Sequence, residues 1–258
     1  MRDVINMKIK MIIPSLFIVV VTVTLLMGSN SFPNVNAQGT NTNGPNNNNN
    51  GGGIPSAQSV YETGTMALPS TVGGVIISIP DEGHHPLSDQ KTISLKNPSY
   101  VPSNLIVPSG TSIAYVHGDP NHVHVGTVTD SSSGTVAWQT TPVEHPGASD
   151  VKVLPAGKYD VKDEKYPDMK GTITVSSNLK SAGNLVVGGL FVPTPSLEKI
   201  KSDFAKAGFN VLSSYGFVVK TVQKDINGPT SLVIYSTTTP IAQAMPKLFP
   251  ILESLPYK

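Results

Sequence analysis

A chain of 258 residues with a formal net charge of +1 and only 14% charged residues is long enough for two modest cores, but it carries no basic footprint for DNA, RNA or an anionic surface. It contains no cysteine, which removes disulfides, thiolate metal ligands and cysteine nucleophiles together. No HExxH, P-loop or dinucleotide fingerprint occurs, and Ser131-Ser132-Ser133-Gly134 lacks the context of a nucleophile elbow, so the sequence reads as a non-enzyme.

The chain opens with Lys8 and Lys10 ahead of an apolar run from Met11 to Met27, and Val35-Asn36-Ala37 offers a small-residue cleavage site. Residues 1–37 therefore read as a secretory signal cleaved after Ala37, with an uncleaved N-terminal membrane anchor as the alternative because the run is long for a signal core. Both place the mature protein outside the cell or at its surface. Residues 38–71 are assigned to a linker. Its first part, Gln38 to Gly53, is Asn, Gly, Thr and Pro with no large apolar side chain and has nothing to bury.

Beyond Ile54 the sequence becomes short β runs separated by turn chemistry. Strands are expected at Val75–Ile79, Thr92–Leu95, Asn104–Val107, Ser112–Val116, His122–Val125, Val151–Leu154 and Thr172–Val175. Between them stand Pro80-Asp81-Glu82-Gly83, Asn97-Pro98, Pro108-Ser109-Gly110, Gly118-Asp119-Pro120-Asn121 and Pro155-Ala156-Gly157. That punctuation predicts a β-sandwich.

Near Asn184 the character changes. A strand from Leu185 to Val192 leads into Thr194-Pro195, a capping residue followed by a first-turn proline. Leu197, Ile200, Phe204 and Ala207 recur at helical spacing before Gly208, and strands at Phe209–Ile226 and Ser231–Thr237 flank Asn227-Gly228, a hairpin signal. A last amphipathic segment, Ile241–Leu255, contains Pro246 and Pro250. The pattern predicts a small β-α-β-β-α domain over residues 184–258. Gly188-Gly189 is read as a site of close packing rather than a phosphate loop, and Trp138 as core.

Two stretches carry a family resemblance. Gly157-Lys158-Tyr159, Pro167, Met169, Gly171, Ile173 and Val175 match G-x-Y-x-x-x-C-x-x-H-P-x-M-x-G-x-I-x-V. Upstream stand Tyr100-Val101-Pro102, Ile106-Val107-Pro108-Ser109-Gly110, Ile113-Ala114-Tyr115-Val116-His117-Gly118-Asp119, and then His122 and His124. Over roughly residues 72–178 the chain resembles cupredoxins of the plastocyanin and amicyanin kind. The resemblance implies a mainly β fold: a Greek-key β-sandwich followed by the α+β unit. In that family Cys, His and Met of the first motif ligate copper, with a further His from the upstream half. Here Asp163 stands at the Cys position and Tyr166 at the His position, so blue copper and its electron transfer are not expected.

Copper or another divalent ion in a non-blue site remains one reading, with His122, His124, Asp163 and Met169 as candidate ligands. Residues two apart on a strand share a face, which lets His122 and His124 approach one ion. A carboxylate and a thioether would complete a site without thiolate. The competing assignments are solvated histidines, a polar Asp163 loop in water and a core-filling Met169. His84, His85 and His145 lie in loops and would join a site only if the sandwich brought them to the same end. The second functional reading is a metal-free binding or structural module at the cell envelope, with a protein partner and no nucleic acid. It contacts the membrane only through an uncleaved N-terminal segment.

Overall fold

The computed structural model describes residues 53–80, 100–117, 122–219 and 228–255, all within one compact unit. The expected export segment, residues 38–52 of the expected linker, the strand at Thr92–Leu95, the histidines His84 and His85, and Asn227 lie outside the described residues. No helix among the described residues is long and apolar enough to cross a membrane.

The first described element belongs to the stretch assigned to the linker. Helix α1 (Ala57–Thr63) is capped by Ser56, whose hydroxyl accepts from Ser59 N at 3.2 Å, and ends at Gly64 with φ 66°. Strand β1 (Thr65–Ala67) follows. Ala57, Val60, Met66 and Leu68 are all buried, so residues 54–71 are part of the folded body. Unlike the Asn/Gly tract before them, they carry apolar side chains spaced to face a core.

The β runs assemble into two six-stranded sheets. The first has the order β1, β3 (Asn104–Ser109), β9 (Lys170–Lys180), β8 (Gly157–Asp163), β5 (Gly126–Asp130) and β6 (Val136–Gln139). One of its faces meets water, as β8 shows: Tyr159, Val161 and Asp163 are buried, while Lys158, Asp160 and Lys162 are exposed. The segment His122–Val125, expected as a strand, forms only an isolated β-bridge between His124 and Val143, and regular pairing begins at Gly126.

The second sheet has the order β11 (Asn210–Val219), β12 (Gly228–Thr237), β10 (Leu185–Pro193), β2 (Val72–Ile79), β4 (Ser112–His117) and β7 (Lys152–Val153). The expected boundary near residue 184 falls inside this sheet. The β-α-β-β-α elements are present, but their strands form no sheet of their own, because β10 pairs in parallel with β2 from Leu185 to Gly188. Gly228, expected in the hairpin turn, is the first residue of β12 and pairs with Val219.

Near-continuous apolar runs in β2, β10 and β12 fit burial on both faces. Along β2, Val75, Ile77 and Ile79 point into the core between the sheets, while Ile76 points to a second core beneath the helices. That second core is closed by α2 (Leu197–Lys206) and α3 (Ile241–Glu253) through Ile200, Phe204, Ala244, Leu248, Ile251 and Leu252. Pro246 and Pro250 lie inside α3 on its exposed face, where the carbonyls they leave unbonded can reach water. Thr194 does not cap α2; its hydroxyl shares a 2.9 Å hydrogen bond with Ser231 of β12. Gly188 and Gly189 do serve close packing: an added Cβ at Gly188 would meet the Tyr235 ring, and one at Gly189 would lie 2.9 Å from Val101. Gly171 of the family motif is required likewise, since a Cβ there would lie 2.6 Å from the Ser103 carbonyl.

Candidate functional site

Four chain segments meet at one end of the sandwich. Strand β4 terminates at His117, whose N–H donates to Gly147 O at 3.1 Å. His124 and Val143 exchange backbone hydrogen bonds of 3.1 and 2.9 Å, which ties residues 122–125 to residues 143–148. Strand β8 terminates at Asp163, and the loop after it closes on itself: Asp163 N donates to Met169 O at 3.2 Å, and Met169 N to Tyr166 O at 2.8 Å. Glu164 N then reaches Val125 O at 3.0 Å, joining the loop to the histidine segment.

Asp163 is the hub of this end. Its Oδ1 accepts from Lys165 N and Tyr166 N, both at 2.9 Å, and its Oδ2 lies 2.9 Å from His124 Nδ1. The side chains of the pair are both fully buried. An ionised carboxylate only accepts, so the proton of this contact sits on His124 Nδ1. Both Asp163 oxygens are therefore committed inside the protein. The expectation of a solvated loop charge does not hold, because alternation along β8 turns position 163 inward.

Around this pair the imidazoles form a row. The ring centroids of His117 and His124 are 4.9 Å apart, those of His117 and His145 6.0 Å, and those of His122 and His124 6.2 Å. His145 Nδ1 lies 3.1 Å from the His117 carbonyl, which can only accept, so Nδ1 is the protonated nitrogen. Tyr166 packs edge-on against His122, with ring centroids 5.2 Å apart, and at a tilt against His124 at 5.0 Å. His117 and His124 are buried; His122 and His145 are half-buried.

The four predicted site residues thus divide. His122 and His124 come together, in an irregular segment rather than on a strand. Asp163 joins His124 as a hydrogen-bond partner. Met169 is fully buried in the core between the sheets, the role its packing alternative described. His145, named only on a condition, met it, since the fold carries its loop to this end. His117 stood in the upstream stretch of the resemblance without being a candidate ligand.

No group of three or more His, Asp or Glu side chains among the described residues is arranged to hold a metal ion. The chain has no cysteine to supply a thiolate, and the Asp163 carboxylate has both oxygens engaged. Deeper in the sandwich, burial raises the Tyr100 phenol well above its ordinary range, and the neighbouring Tyr115 and Asp163 add to the shift.

No protein-family model matches this chain, and no curated protein matches it. Solved structures similar to it are cupredoxins. A novel purple cupredoxin from Nitrosopumilus maritimus is 23% identical, over 40% of this chain and 99% of that one, with a TM-score of 0.32. Rusticyanin is 15% identical, over 44% of this chain and 84% of its own, with a TM-score of 0.33. An amicyanin variant is 18% identical, over 40% and 83%, with a TM-score of 0.29. Each likeness leaves more than half of this chain unmatched.

Proposed function

We propose that this chain is an exported cell-envelope module that uses a cupredoxin-like sandwich as a metal-free scaffold for binding or structural support, and that it is not a catalyst. The observation carrying this reading is the Asp163 carboxylate. At the position where the family places its copper thiolate, a buried side chain accepts two backbone N–H groups and engages His124 at 2.9 Å. A metal at that point would have to displace hydrogen bonds that hold the loop closed, and replacing them is costly in a buried setting. Export is supported by the lysine-led apolar run from Met11 to Met27 and the small-residue site at Val35-Asn36-Ala37.

The test is calorimetric titration of the full chain with Cu(II) and Zn(II), beside a His122→Ala/His124→Ala double variant. The expected result is affinity no tighter than about millimolar. Micromolar binding that the double variant abolishes would overturn the reading in favour of a non-blue metal site.

A further inference from the structure

We propose that the outer edge of β11 is a self-association seam: a second copy of this chain pairs with it antiparallel, about a two-fold axis at Gly216, and the second sheet continues across both copies. The inference goes beyond the scaffold reading and uses no residue of the Asp163 end.

A sheet edge carries backbone N–H and C=O groups that another strand can satisfy, and native proteins guard such edges by shortness, charge, proline or a bulge. Of the four edge strands among the described residues, three are short: β1 has three residues, β6 four and β7 two. The fourth, β11, runs for ten residues with no charged side chain and no proline. Among the described residues no further strand pairs with its outer side. Its one guard, a register shift between Val211 and Ser213, lies near its start, and from Ser213 onward it pairs with β12 without interruption.

The side chains beside this edge have the composition of an interface. Tyr215 and Phe217 face α1, where Tyr61 stacks on Phe217 with ring centroids 4.3 Å apart and lies 5.3 Å from Tyr215. All three rings are half-buried, which leaves an uncharged aromatic cluster partly exposed.

Symmetry and charge select a second copy as the occupant. A two-fold axis perpendicular to the sheet keeps each face on its own side, so facing residues must belong to the same face of the strand. An axis at Gly216 meets this condition and sets Tyr215 of each copy opposite Phe217 of the other, giving two cross-strand aromatic pairs. Gly216 is exposed, and an added Cβ there would meet only Ser231 Oγ, at 3.8 Å, so packing within one copy does not require glycine on the axis. A strand without charge brings no like charges together when it meets itself, whereas a charged edge would select a partner of opposite sign. One strand per copy is narrow beside the about 20–30 residues a side of a standard interface, so the dimer should be micromolar and not nanomolar.

The experiment is sedimentation of the full chain up to about 100 μM, which should show a reversible monomer–dimer equilibrium with a Kd of about 10 μM. Gly216→Lys and Gly216→Asp each place like charges on the axis and should each weaken the dimer about tenfold or more. An equal mixture of the two should recover it as a heterodimer, identified by mass in native mass spectrometry. Because the chain has no cysteine, Gly216→Cys supplies its only thiol. Facing residues of an antiparallel pair lie about 4.5–5.5 Å apart at Cα, within disulfide range, so mild oxidation should link two copies. Leu212→Cys, exposed but displaced from the axis, should link at least about tenfold more slowly. Should a charged variant fail to fold, the cysteine pair decides. A dimer indifferent to both charges at Gly216, or equal linking by the two cysteine variants, would overturn the seam. So would a chain that stays monomeric at about 100 μM, an outcome that leaves the edge to a strand of another protein.

Discussion

The His124–Asp163 end and the β10–β12–β11 extension keep water out by different means. The extension does it with area: Val186, Leu190 and Val233 on one face and Val187, Leu232 and Ile234 on the other are buried between a second sheet and two helices. Apolar burial of this kind is non-directional and contributes roughly 25 cal/mol per Å², so many small contributions add up and no single partner is essential. The loop end has little apolar area of its own and holds polar groups inside by satisfying them one bond at a time. Such a site depends on single atoms, because an unsatisfied buried group costs more than a made bond contributes.

The largest expected effect tests whether the extension is integral to the sandwich. Phe204 is fully buried under α2, with its ring 4.8 Å from Tyr235 and 5.7 Å from Phe209. Phe204→Ala should cost about 3–5 kcal/mol. Trp138, the single tryptophan, sits in the other core and reports on the sandwich. In urea, its fluorescence transition should move to lower denaturant together with the helical signal. A tryptophan transition left in place would mean that the extension unfolds as a separate domain despite the shared sheet.

At the loop end, Asp163→Ala strands His124 Nδ1 and two backbone N–H groups and should cost about 3 kcal/mol or more, whereas Asp163→Asn, which keeps an acceptor oxygen, should cost less. The same urea titration measures both. Equal and small losses, under about 1 kcal/mol, would show that this end is held by its apolar neighbours and not by the carboxylate.

How far each region could be read in advance follows from these energetics. The extension was legible in its elements, because helical spacing through Leu197, Ile200 and Phe204 and apolar runs such as Leu185–Val192 are local signals. Its attachment was not, since pairing of β10 with β2 brings together residues more than a hundred apart in sequence and no local pattern encodes it. At the loop end the motif located Asp163, Tyr166 and Met169, yet the partner of Asp163 depended on how four loops converge. His145 is the clearest instance: nothing in Glu144-His145-Pro146-Gly147 distinguishes it from a solvated loop histidine until the bridge from Val116 to Ala148 carries that loop beside His117. Residues 54–71 erred in the other direction, because the polar tract before them masked a short capped helix.

A smaller effect probes how tightly the two-faced sheet is packed. Gly188→Ala pushes a methyl group into the ring of Tyr235, buried in the helix-side core, and should cost about 1–3 kcal/mol by thermal melting. Adding Tyr235→Val should recover part of that loss by vacating the space. If Gly188→Ala is neutral, the extension yields to a methyl group and is looser than its burial implies.

The smallest effect sets the buried carboxylate against a built-in control. Asp130 ends β5 as Asp163 ends β8, and because the two strands pair antiparallel they lie at opposite ends of the sheet. Each Oδ1 accepts N–H bonds from the second and third residues onward, Lys165 and Tyr166 for Asp163, Ser132 and Ser133 for Asp130, at 2.9 Å in every case. Asp130 adds the Ser132 and Ser133 hydroxyls at 2.6 and 3.1 Å and lies at the surface turn of the β5–β6 hairpin. The Ser132 hydroxyl, then the Ser133 and Ser132 N–H groups, lower its pKa to about 2. A depressed carboxylate stabilises the fold above its unfolded value near 3.9, and that contribution is lost as pH falls through about 2. A carboxyl NMR titration should therefore find Asp130 at about 2, and Ser132→Ala should move it up toward the ordinary range. Water competes for every bond Asp130 makes, so Asp130→Ala should loosen the hairpin turn without moving the amide hydrogen exchange of residues 163–169. A midpoint already near 3.9 would show that the shared turn geometry does little in water, and that burial and His124 make the same arrangement matter at Asp163.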